Sequence, residues 1–323
     1  MKKNKIKDTG VEVTELSFGT SSLGSMPDTY GYEVPEQRAQ ETLKRFIQGP
    51  VNMLDTSRNY AMGESEKRIG IAIKENGGWP ENFVLSTKID RNMDTLVLDK
   101  KRTRESIEES LKTLNVDTVD VLFLHDPEYV KDIIDVTKKD GALDELFKIK
   151  EEGLTKAVGL AMGKIDIMFP MLKNWDFDVM INHNRYTLLN READEMYSYA
   201  HSKNISIFNA APYAGGILAK GPSNFKKITY QDASEEKLAP AREIEKVCKK
   251  YNILNQYKSH NDLQKDINKY DGVVIVTKRN MMPAIAYNFL KLGKPILTEK
   301  PMAMNLQQAN KLLIRAKKYQ TEY

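Results

Sequence analysis

The chain alternates seven times between a short apolar run and a longer amphipathic stretch, and this rhythm limits its fold more than any other feature. Repeated units of this kind argue for a parallel sheet covered by helices, and nearly all-apolar strands indicate burial on both faces. Seven units in one direction favour a closed barrel over an open sheet. The runs that predict strands are LSFGT, VNMLD, FVLSTKI, VDVLFLH, AVGLAMG, DVMINHN and ISIFNAAP.

Composition narrows the class of protein. The 323 residues are 41% hydrophobic and 29% charged, as in soluble globular proteins, and a net charge of +4 with interspersed signs does not indicate a nucleic-acid partner. No apolar stretch reaches the ~18 residues that span a bilayer, and MKKNKIKDTG lacks the apolar segment of a secretory signal. We therefore expect a cytoplasmic protein without a membrane partner. The single cysteine, Cys248, excludes an internal disulfide and a cysteine-clustered metal site, and we expect no metal.

Four chemically related side chains follow three successive predicted strands. Asp55 and Tyr60 lie in LDTSRNY, Lys88 in VLSTKID and His125 in VLFLHDP. The carboxyl ends of barrel strands open on one face, where catalysis takes place. We expect Tyr60 to be the general acid/base, Lys88 to lower its pKa, Asp55 to anchor the lysine, and His125 to orient a substrate oxygen. Taken singly, each residue is more often a cap, a surface ion pair or a structural histidine; the combination favours catalysis.

From about residue 10 to 253 the chain resembles the aldo-keto reductase family. The motifs on which the resemblance rests are FGTSSLG, NMLDTSRNY with GESEKRIG, STKI, and SIEESLKTLNVDTVDVLFLHDPE. The resemblance implies a TIM-like (β/α)8 barrel, NADP or NAD as cofactor without a Rossmann motif, and the four residues above as the family's Asp, Tyr, Lys and His. RYTLLN and NAAPYAGGILA are similar to the branch that oxidises sugars, which implies a small sugar or other carbonyl substrate.

The residues expected at the cofactor depart from the family pattern. Many members place Ser-Asn where this chain has Ala161-Met162, and Gln where it has His183. Ala210 occupies the place where many members stack an aromatic ring, and Tyr213 lies nearby. His183 either donates a hydrogen bond to the cofactor or is a packed structural residue. The residues that we assign to the cofactor from this part of the chain are Thr20, His183, Tyr213 and Gly215.

Residues 254–323 resemble half of a different fold, the Rossmann domain of Gfo/Idh/MocA dehydrogenases. The matching segments are YKSHNDLQKDINKYDGVVIVTK and NFLKLGKPILTEKPMAMNLQQANKLLIRAKK, and the second contains the Glu299-Lys300-Pro301 triplet of that family. The G-x-G-x-x-G loop that binds phosphate in Rossmann domains does not occur in the sequence. We predict an aldo-keto reductase-like body of seven βα units over 1–253. Residues 254–323 would form a partial Rossmann-like βαβα segment that completes or flanks the barrel, GVVIVTK being the eighth strand.

Lys278 and Arg279 follow this proposed eighth strand, where barrels often bind phosphate. They are candidates for the pyrophosphate and a 2′-phosphate, and the alternative is a solvated basic turn. The predicted function is hydride transfer between NADP or NAD and a sugar or related carbonyl. The alternatives are an inactive hybrid, natural or engineered, that has lost normal cofactor binding, and a scaffold whose partner surface is the helix LQQANKLLIRAKKY.

Overall fold

The computed structural model describes residues 1–228, 231–250, 260–275, 282–298, 303 and 305–322. The chain divides into two compact units, Met1–Glu245 and Lys246–Tyr323. The described residues contain no helix whose length and apolar character would let it cross a bilayer. The predicted cytoplasmic location is not tested by this finding and stays a prediction.

The first unit is built on a curled sheet of seven parallel strands that are neighbours in chain order. A hairpin of β1 (Lys3–Lys5) and β2 (Glu12–Thr14), whose strands pair antiparallel, precedes it. The sheet confirms the seven predicted strand positions. Its strands are β3 (Phe18–Gly19), β4 (Met53–Asp55), β5 (Val84–Ile89), β6 (Val119–His125), β7 (Thr155–Met162), β8 (Val179–His183) and β9 (Ser206–Ala210). A short ribbon, β10 (Lys227–Ile228) with β11 (Gln231–Asp232), follows.

Helices fill the connections between the strands, as the amphipathic stretches predict. The longest of them in the sheet-covering layer, over Lys100–Leu114, is capped by the Asp99 side chain, which accepts from the Arg102 backbone N–H at 2.8 Å. The helices of this unit are α1 (Pro27–Tyr30), α2 (Glu36–Ile47), α3 (Glu64–Glu75), α4 (Lys100–Leu114), α5 (Ile134–Thr137), α6 (Ala142–Glu151), α7 (Ile165–Asn174), α8 (Asp194–Ser202) and α9 (Ile217–Lys220), with α10 (Glu235–Lys250) running past the boundary between the units.

Each strand sends alternate side chains to two separate cores, which is why the strands are apolar on both faces. Outward residues such as Leu54 and Leu122 pack with the helices in the larger core. Inward residues form a smaller core at the starts of the strands, together with the hairpin: Ile6, Val11, Val13, Met53, Val84, Val121, Phe123, Ala157, Ala161, Val179 and Ile181.

Asn52, just before β4, ties the hairpin to the amino-terminal end of the sheet. Its Oδ1 accepts from the Thr14 N–H at 2.8 Å, and its amide group donates to the Glu12 carbonyl at 2.9 Å. The backbone N–H of Asn52 in turn donates to the Thr14 hydroxyl at 3.1 Å. The hairpin therefore covers the amino-terminal end, and the carboxyl ends of the strands form the mouth.

The second unit has its own small parallel sheet and its own core. Strand β12 (Val273–Ile275) pairs in parallel with β13 (Ile296–Thr298), and Val273 lies opposite Ile296. Helices pack on this sheet around Phe289, which is 1% exposed, as the βαβα pattern predicts. The helices are α11 (His260–Lys265), α12 (Met282–Phe289) and α13 (Leu306–Tyr319).

The described residues do not show the predicted eighth strand of a (β/α)8 barrel. The sheet of the first unit runs from β3 to β9, and β12, the expected eighth strand, has its ladder with β13 instead. Only one helical crossover separates β12 from β13, so their pairing closes a shorter loop than pairing with β3 would. The parallel β12–β13 pair agrees with the predicted βα pattern of residues 254–323, and the prediction that this segment completes or flanks the barrel stays a prediction.

Candidate functional site

Three of the four predicted catalytic residues occupy equivalent positions in neighbouring strands. Asp55 lies two residues after inward-facing Met53, and His125 two residues after inward-facing Phe123. Lys88 has the same parity on β5 as inward-facing Val84. The two-residue period of a strand therefore turns all three side chains into the curled sheet, at its carboxyl-terminal mouth.

Lys88 and Asp55 form a buried ion pair. The lysine is 1% exposed, and its Nζ donates to Asp55 Oδ1 at 2.8 Å, to Oδ2 at 2.7 Å and to the Thr56 carbonyl at 2.6 Å. These three acceptors match the three protons of an ammonium group, so the charge is buried with all its donors used. The expected role of Asp55 as the anchor of Lys88 agrees with this geometry.

Tyr60 joins the pair from the loop after β4. The ring centre lies 4.7 Å from Lys88 Nζ, and it is 5.8 Å from the His125 ring centre, with the two ring planes at 84°. The next two residues, Ala61 and Met62, have φ of 52° and 55°, a left-handed turn that L-residues seldom adopt. The structure thus brings the four predicted residues together at one mouth.

The expected effect of Lys88 on Tyr60 is not found. Burial, and after it the negative charge of Asp55 and Asp90, raises the pKa of Tyr60 well above its usual value. The physical reason is that the Asp55 carboxylate neutralises the ammonium group that was expected to stabilise a phenolate. Tyr60 is therefore held as a neutral phenol, which is the form that can give a proton.

Two residues that the sequence analysis overlooked hold His125. Asp90, which is 2% exposed, has its Oδ1 2.6 Å from His125 Nδ1. Its Oδ2 accepts from the Ser57 hydroxyl at 2.7 Å and from the Asn59 N–H at 2.9 Å. Ser57 Oγ also lies 3.1 Å from His125 Nδ1. The sequence does indicate Asp90, because it follows Lys88 by two residues and its side chain is therefore expected on the same, inward side of the sheet.

The charges around His125 favour its protonated form. Burial lowers its pKa, but the negative charges of Asp90 and Asp126 and the hydrogen bond that His125 donates to Asp90 outweigh burial, so that the pKa is raised. For Asp90, burial acts to raise the pKa, and the charge and hydrogen bond of His125 overcome it, so that the pKa is lowered. The two groups therefore stabilise each other as an imidazolium–carboxylate pair.

The residues predicted to bind the cofactor differ in their burial and in the part of the sheet where they lie. His183 ends β8, where burial lowers its pKa and its Nδ1 lies 3.2 Å from Asn184 Nδ2. The Thr20 side chain is buried, and its hydroxyl donates to the Asp55 carbonyl at 2.9 Å. Tyr213, 61% exposed, and Gly215, with φ of 72°, lie in the turn after β9. Lys278 and Arg279 lie outside the described residues.

The end of β8 offers a place for a carboxamide such as that of nicotinamide. Asn184 Oδ1 is a buried acceptor that has no hydrogen-bond partner among the described residues, and an amide N–H would satisfy it. Opposite, a Cβ on Gly163 would lie 2.8 Å from His183 Cε1, so the imidazole fills the space left by the missing side chain. Gly163 N donates to Glu128 Oε1 at 2.9 Å, which fixes the turn after β7. These residues fit the nicotinamide end of the cofactor.

Comparison with known proteins agrees with this fold and site. The sequence profile of the Aldo/keto reductase family matches residues 15–284. L-galactose dehydrogenase of Arabidopsis thaliana is 29% identical over 261 residues, which are 77% of this chain and 79% of that protein. D-threo-aldose 1-dehydrogenase of a Pseudomonas species is 26% identical over 270 residues, 76% and 79% of the two chains.

A solved structure adds a likeness of fold. The crystal structure of an aldo/keto reductase from Klebsiella pneumoniae, in complex with NADP and acetate, has a TM-score of 0.53 at 19% identity, covering 68% of this chain and 72% of that one. The chain belongs to the aldo/keto reductase family, whose members carry out oxidoreduction with NADP or NAD. The family match continues to residue 284, past the predicted end of the reductase-like body at residue 253.

Within the described residues, no group of three or more histidine, cysteine, aspartate or glutamate side chains is arranged to hold a metal ion.

Proposed function

We propose that this protein interconverts a sugar carbonyl, or a related small carbonyl, and its alcohol, with Tyr60 handling the proton. The observation that carries the proposal is the buried convergence of Tyr60, the Lys88–Asp55 pair and His125 at the carboxyl ends of three neighbouring strands. Such a group of an acid, a cation and a hydrogen-bond donor serves proton transfer at a carbonyl oxygen.

In the direction of reduction, a nicotinamide cofactor, when bound, would supply a hydride to the carbonyl carbon. The C=O π bond becomes a C–O bond, and the oxygen takes up a proton from the Tyr60 hydroxyl, whose pKa is raised and which is therefore still protonated. The rings of His125 and Tyr60 are 5.8 Å apart at their centres, close enough for the two groups to serve one oxygen atom. The Lys88–Asp55 pair holds the Tyr60 ring in place beside the oxygen rather than stabilising a charge on it.

The choice of a sugar substrate rests on relatives. Two of them are named for L-galactose and for D-threo-aldoses, and they share 29% and 26% identity with this chain. The assignment of Thr20, His183, Tyr213 and Gly215 to the cofactor is likewise part of the proposal. Lys278 and Arg279 complete it as candidates for the cofactor's phosphates.

For the tail we keep the resemblance to half of a Rossmann domain as a proposal. It is supported by the parallel β12–β13 pair with α12 between the strands and α13 after them. Neither the family match nor the assembled site supports the alternative of a hybrid that has lost its activity.

The test is Tyr60→Phe, which keeps the ring and removes the proton. We expect NADPH- or NADH-dependent reduction of aldehydes, and oxidation of L-galactose and D-threo-aldoses, to fall by a factor of about 10² or more. Fluorescence titration with NADPH and NADH measures cofactor binding, which the variant should keep.

A matched control is Tyr197→Phe on α8, because the Tyr197 hydroxyl donates to Asn209 Oδ1 at 3.2 Å and the side chain packs against the larger core under the helices. Its turnover should stay close to that of the natural chain. Full turnover by the Tyr60→Phe variant would rule out the proposed role, and a natural chain that binds neither nucleotide would rule out the function.

A further inference from the structure

A buried side-chain triad links three connections at the mouth of the sheet, and the proton donor proposed above does not need it. Its members are Ser57 after β4, Asp90 after β5 and His125 at the end of β6. Ser57 is fully buried and Asp90 is 2% exposed, so the triad costs desolvation that its internal hydrogen bonds must offset. Such an arrangement calls for an explanation beyond packing.

The hydrogen bonds of the triad fix which nitrogen of His125 carries a proton. Asp90 is ionised, and a carboxylate 2.6 Å from Nδ1 can only accept. Ser57 directs its own proton to Asp90 Oδ2, where the distance is 2.7 Å, so that its oxygen offers only a lone pair to Nδ1 at 3.1 Å. Both neighbours of Nδ1 are therefore acceptors, and Nδ1 carries the hydrogen.

The other ring nitrogen is left for the substrate. Among the described residues His125 Nε2 has no hydrogen-bond partner; the carboxylate nearest to it, Asp126 Oδ2, is 3.7 Å away. With Nδ1–H fixed, a neutral imidazole presents a bare lone pair at Nε2. Only the imidazolium can donate from Nε2 to a carbonyl oxygen.

We propose that Asp90, aided by Ser57, is a positioning residue that fixes the proton of His125 on Nδ1. His125 then donates a hydrogen bond to the substrate carbonyl only as imidazolium, and accepts one from an alcohol only when it is neutral. The inference rests on the proposed function. Reduction then requires protonated His125 beside neutral Tyr60, and oxidation requires the neutral ring. No other co-reactant is needed, because the ring exchanges its proton with water.

The charged and titratable groups around His125 affect its protonation in opposite directions. Asp90 and Asp126 favour the imidazolium, and Lys88 opposes it. Tyr60 presents a neutral ring from the loop after β4, and His183 lies across the mouth at the end of β8. Removal of the Asp90 charge should therefore lower the pKa of His125, since Lys88 remains.

The test uses the full-length chain and begins with the natural protein without cofactor. In nitrogen-15 NMR spectra of the four histidines, His125 is assigned through the loss of its signals in His125→Asn. We expect the neutral ring to carry its proton on Nδ1. A neutral ring with its proton on Nε2 would overturn the proposal without any need for an Asp90 variant.

The variant Asp90→Asn is then titrated. We expect the midpoint of the His125 titration to fall by about one pH unit or more, and the pH above which kcat/KM for reduction declines to fall with it. An unchanged midpoint in a folded variant overturns the proposal. Ser57→Ala, which keeps the carboxylate, should shift the midpoint less, and it serves if Asp90→Asn does not fold.

Asp178→Asn is the matched control. Like Asp90, Asp178 is buried, with 4% of its surface exposed, and it accepts a hydrogen bond from Lys150 Nζ at 2.6 Å. It precedes β8 and so lies at the opposite end of the sheet from the triad. It should lower stability without moving the His125 titration or the pH profile. An equal shift in this control would show that Asp90 acts only through general stability, and would sink the proposal.

A double-mutant cycle tests whether Asp90 acts through His125. In a His125→Asn background, Asp90→Asn should reduce kcat by less than twofold further, because the group it positions is gone. Additive losses would contradict the proposal. If the natural enzyme reduces no carbonyl at all, the proposed function fails, and the NMR measurements still decide the role of Asp90.

Discussion

At the scale of single residues, Lys88 shows how this chain keeps a charge inside a sheet. A lone ammonium group in an apolar interior would lose its proton, whereas Lys88 donates to two carboxylate oxygens and one carbonyl at 2.6 to 2.8 Å. Removal of one partner of such a pair costs about 3–5 kcal/mol, since the other charge stays buried. The pair therefore holds Lys88 in a single position beneath the Tyr60 ring.

Tyr60 carries a pH prediction whose sign follows from its raised pKa. Burial, followed by the charge of Asp55, keeps the phenol protonated above its usual range. Alcohol oxidation needs the deprotonated oxygen, so its rate should still be rising at about pH 10, whereas reduction does not lose this donor as pH rises. Initial rates in both directions from about pH 6 to about pH 10 check this. An oxidation rate that levels off near neutrality would mean that Lys88 does lower the pKa of Tyr60.

At the scale of elements, helix α3 packs on β5 through a buried carboxyl. Glu66 is fully buried, and its Oε1 accepts from the Thr87 hydroxyl at 2.5 Å, on the outward side of the strand. Burial, opposed in part by the hydrogen bonds of Thr87 and Ser110, raises the pKa of Glu66 to about 7.

Stability should therefore fall as pH rises through this range. The folded protein holds the Glu66 proton more tightly than the unfolded chain, whose ordinary value is 4.5, so the contribution is full below 4.5 and is lost through about 7. The loss amounts to about 3 kcal/mol. Glu66→Gln should remove this slope in urea unfolding at about pH 5 and about pH 8, whereas Glu41→Gln on the exposed face of α2 should keep it. A slope unchanged by Glu66→Gln would contradict the assignment.

Elements were easier to predict from the sequence than the contacts between them. The seven strands and their helices follow from a period that each segment carries by itself. The inward positions of Asp55 and Lys88 follow from the same period, once the strand ends are known. The Ser57–Asp90–His125 triad joins segments far apart in the chain, and Ser57 and Asp90 look like ordinary loop residues in the sequence. The partner of β12 depends on which strand is close enough to pair, which no local pattern encodes.

At the scale of the whole molecule, each of the two units has its own apolar core. In the second unit Phe289, Leu290, Ile296 and Leu312 pack together, and in the first the strands pack under their helices. Phe289→Ala should cost about 3–5 kcal/mol of local stability, because it empties the centre of the smaller core. Hydrogen exchange should then show lost protection over 282–298 and 306–319, and unchanged protection in β5 and β6.

The reciprocal variant is Leu122→Ala on β6, where the side chain is fully buried. It should reduce protection in the first unit and spare the second. Loss of protection in both units from either variant would show that they unfold as one, contrary to the separate cores.

The hairpin beneath the sheet limits how molecules reach the interior. Because β1 and β2 are bonded through Asn52 across the starts of the strands, the hairpin blocks the amino-terminal end of the sheet in the described part of the chain, and we expect ligands to enter from the carboxyl-terminal end. If two ligands enter from that same end, they do not bind independently, and we expect the ligand that lies deeper to bind first and to leave last. Steady-state kinetics should accordingly follow a compulsory order.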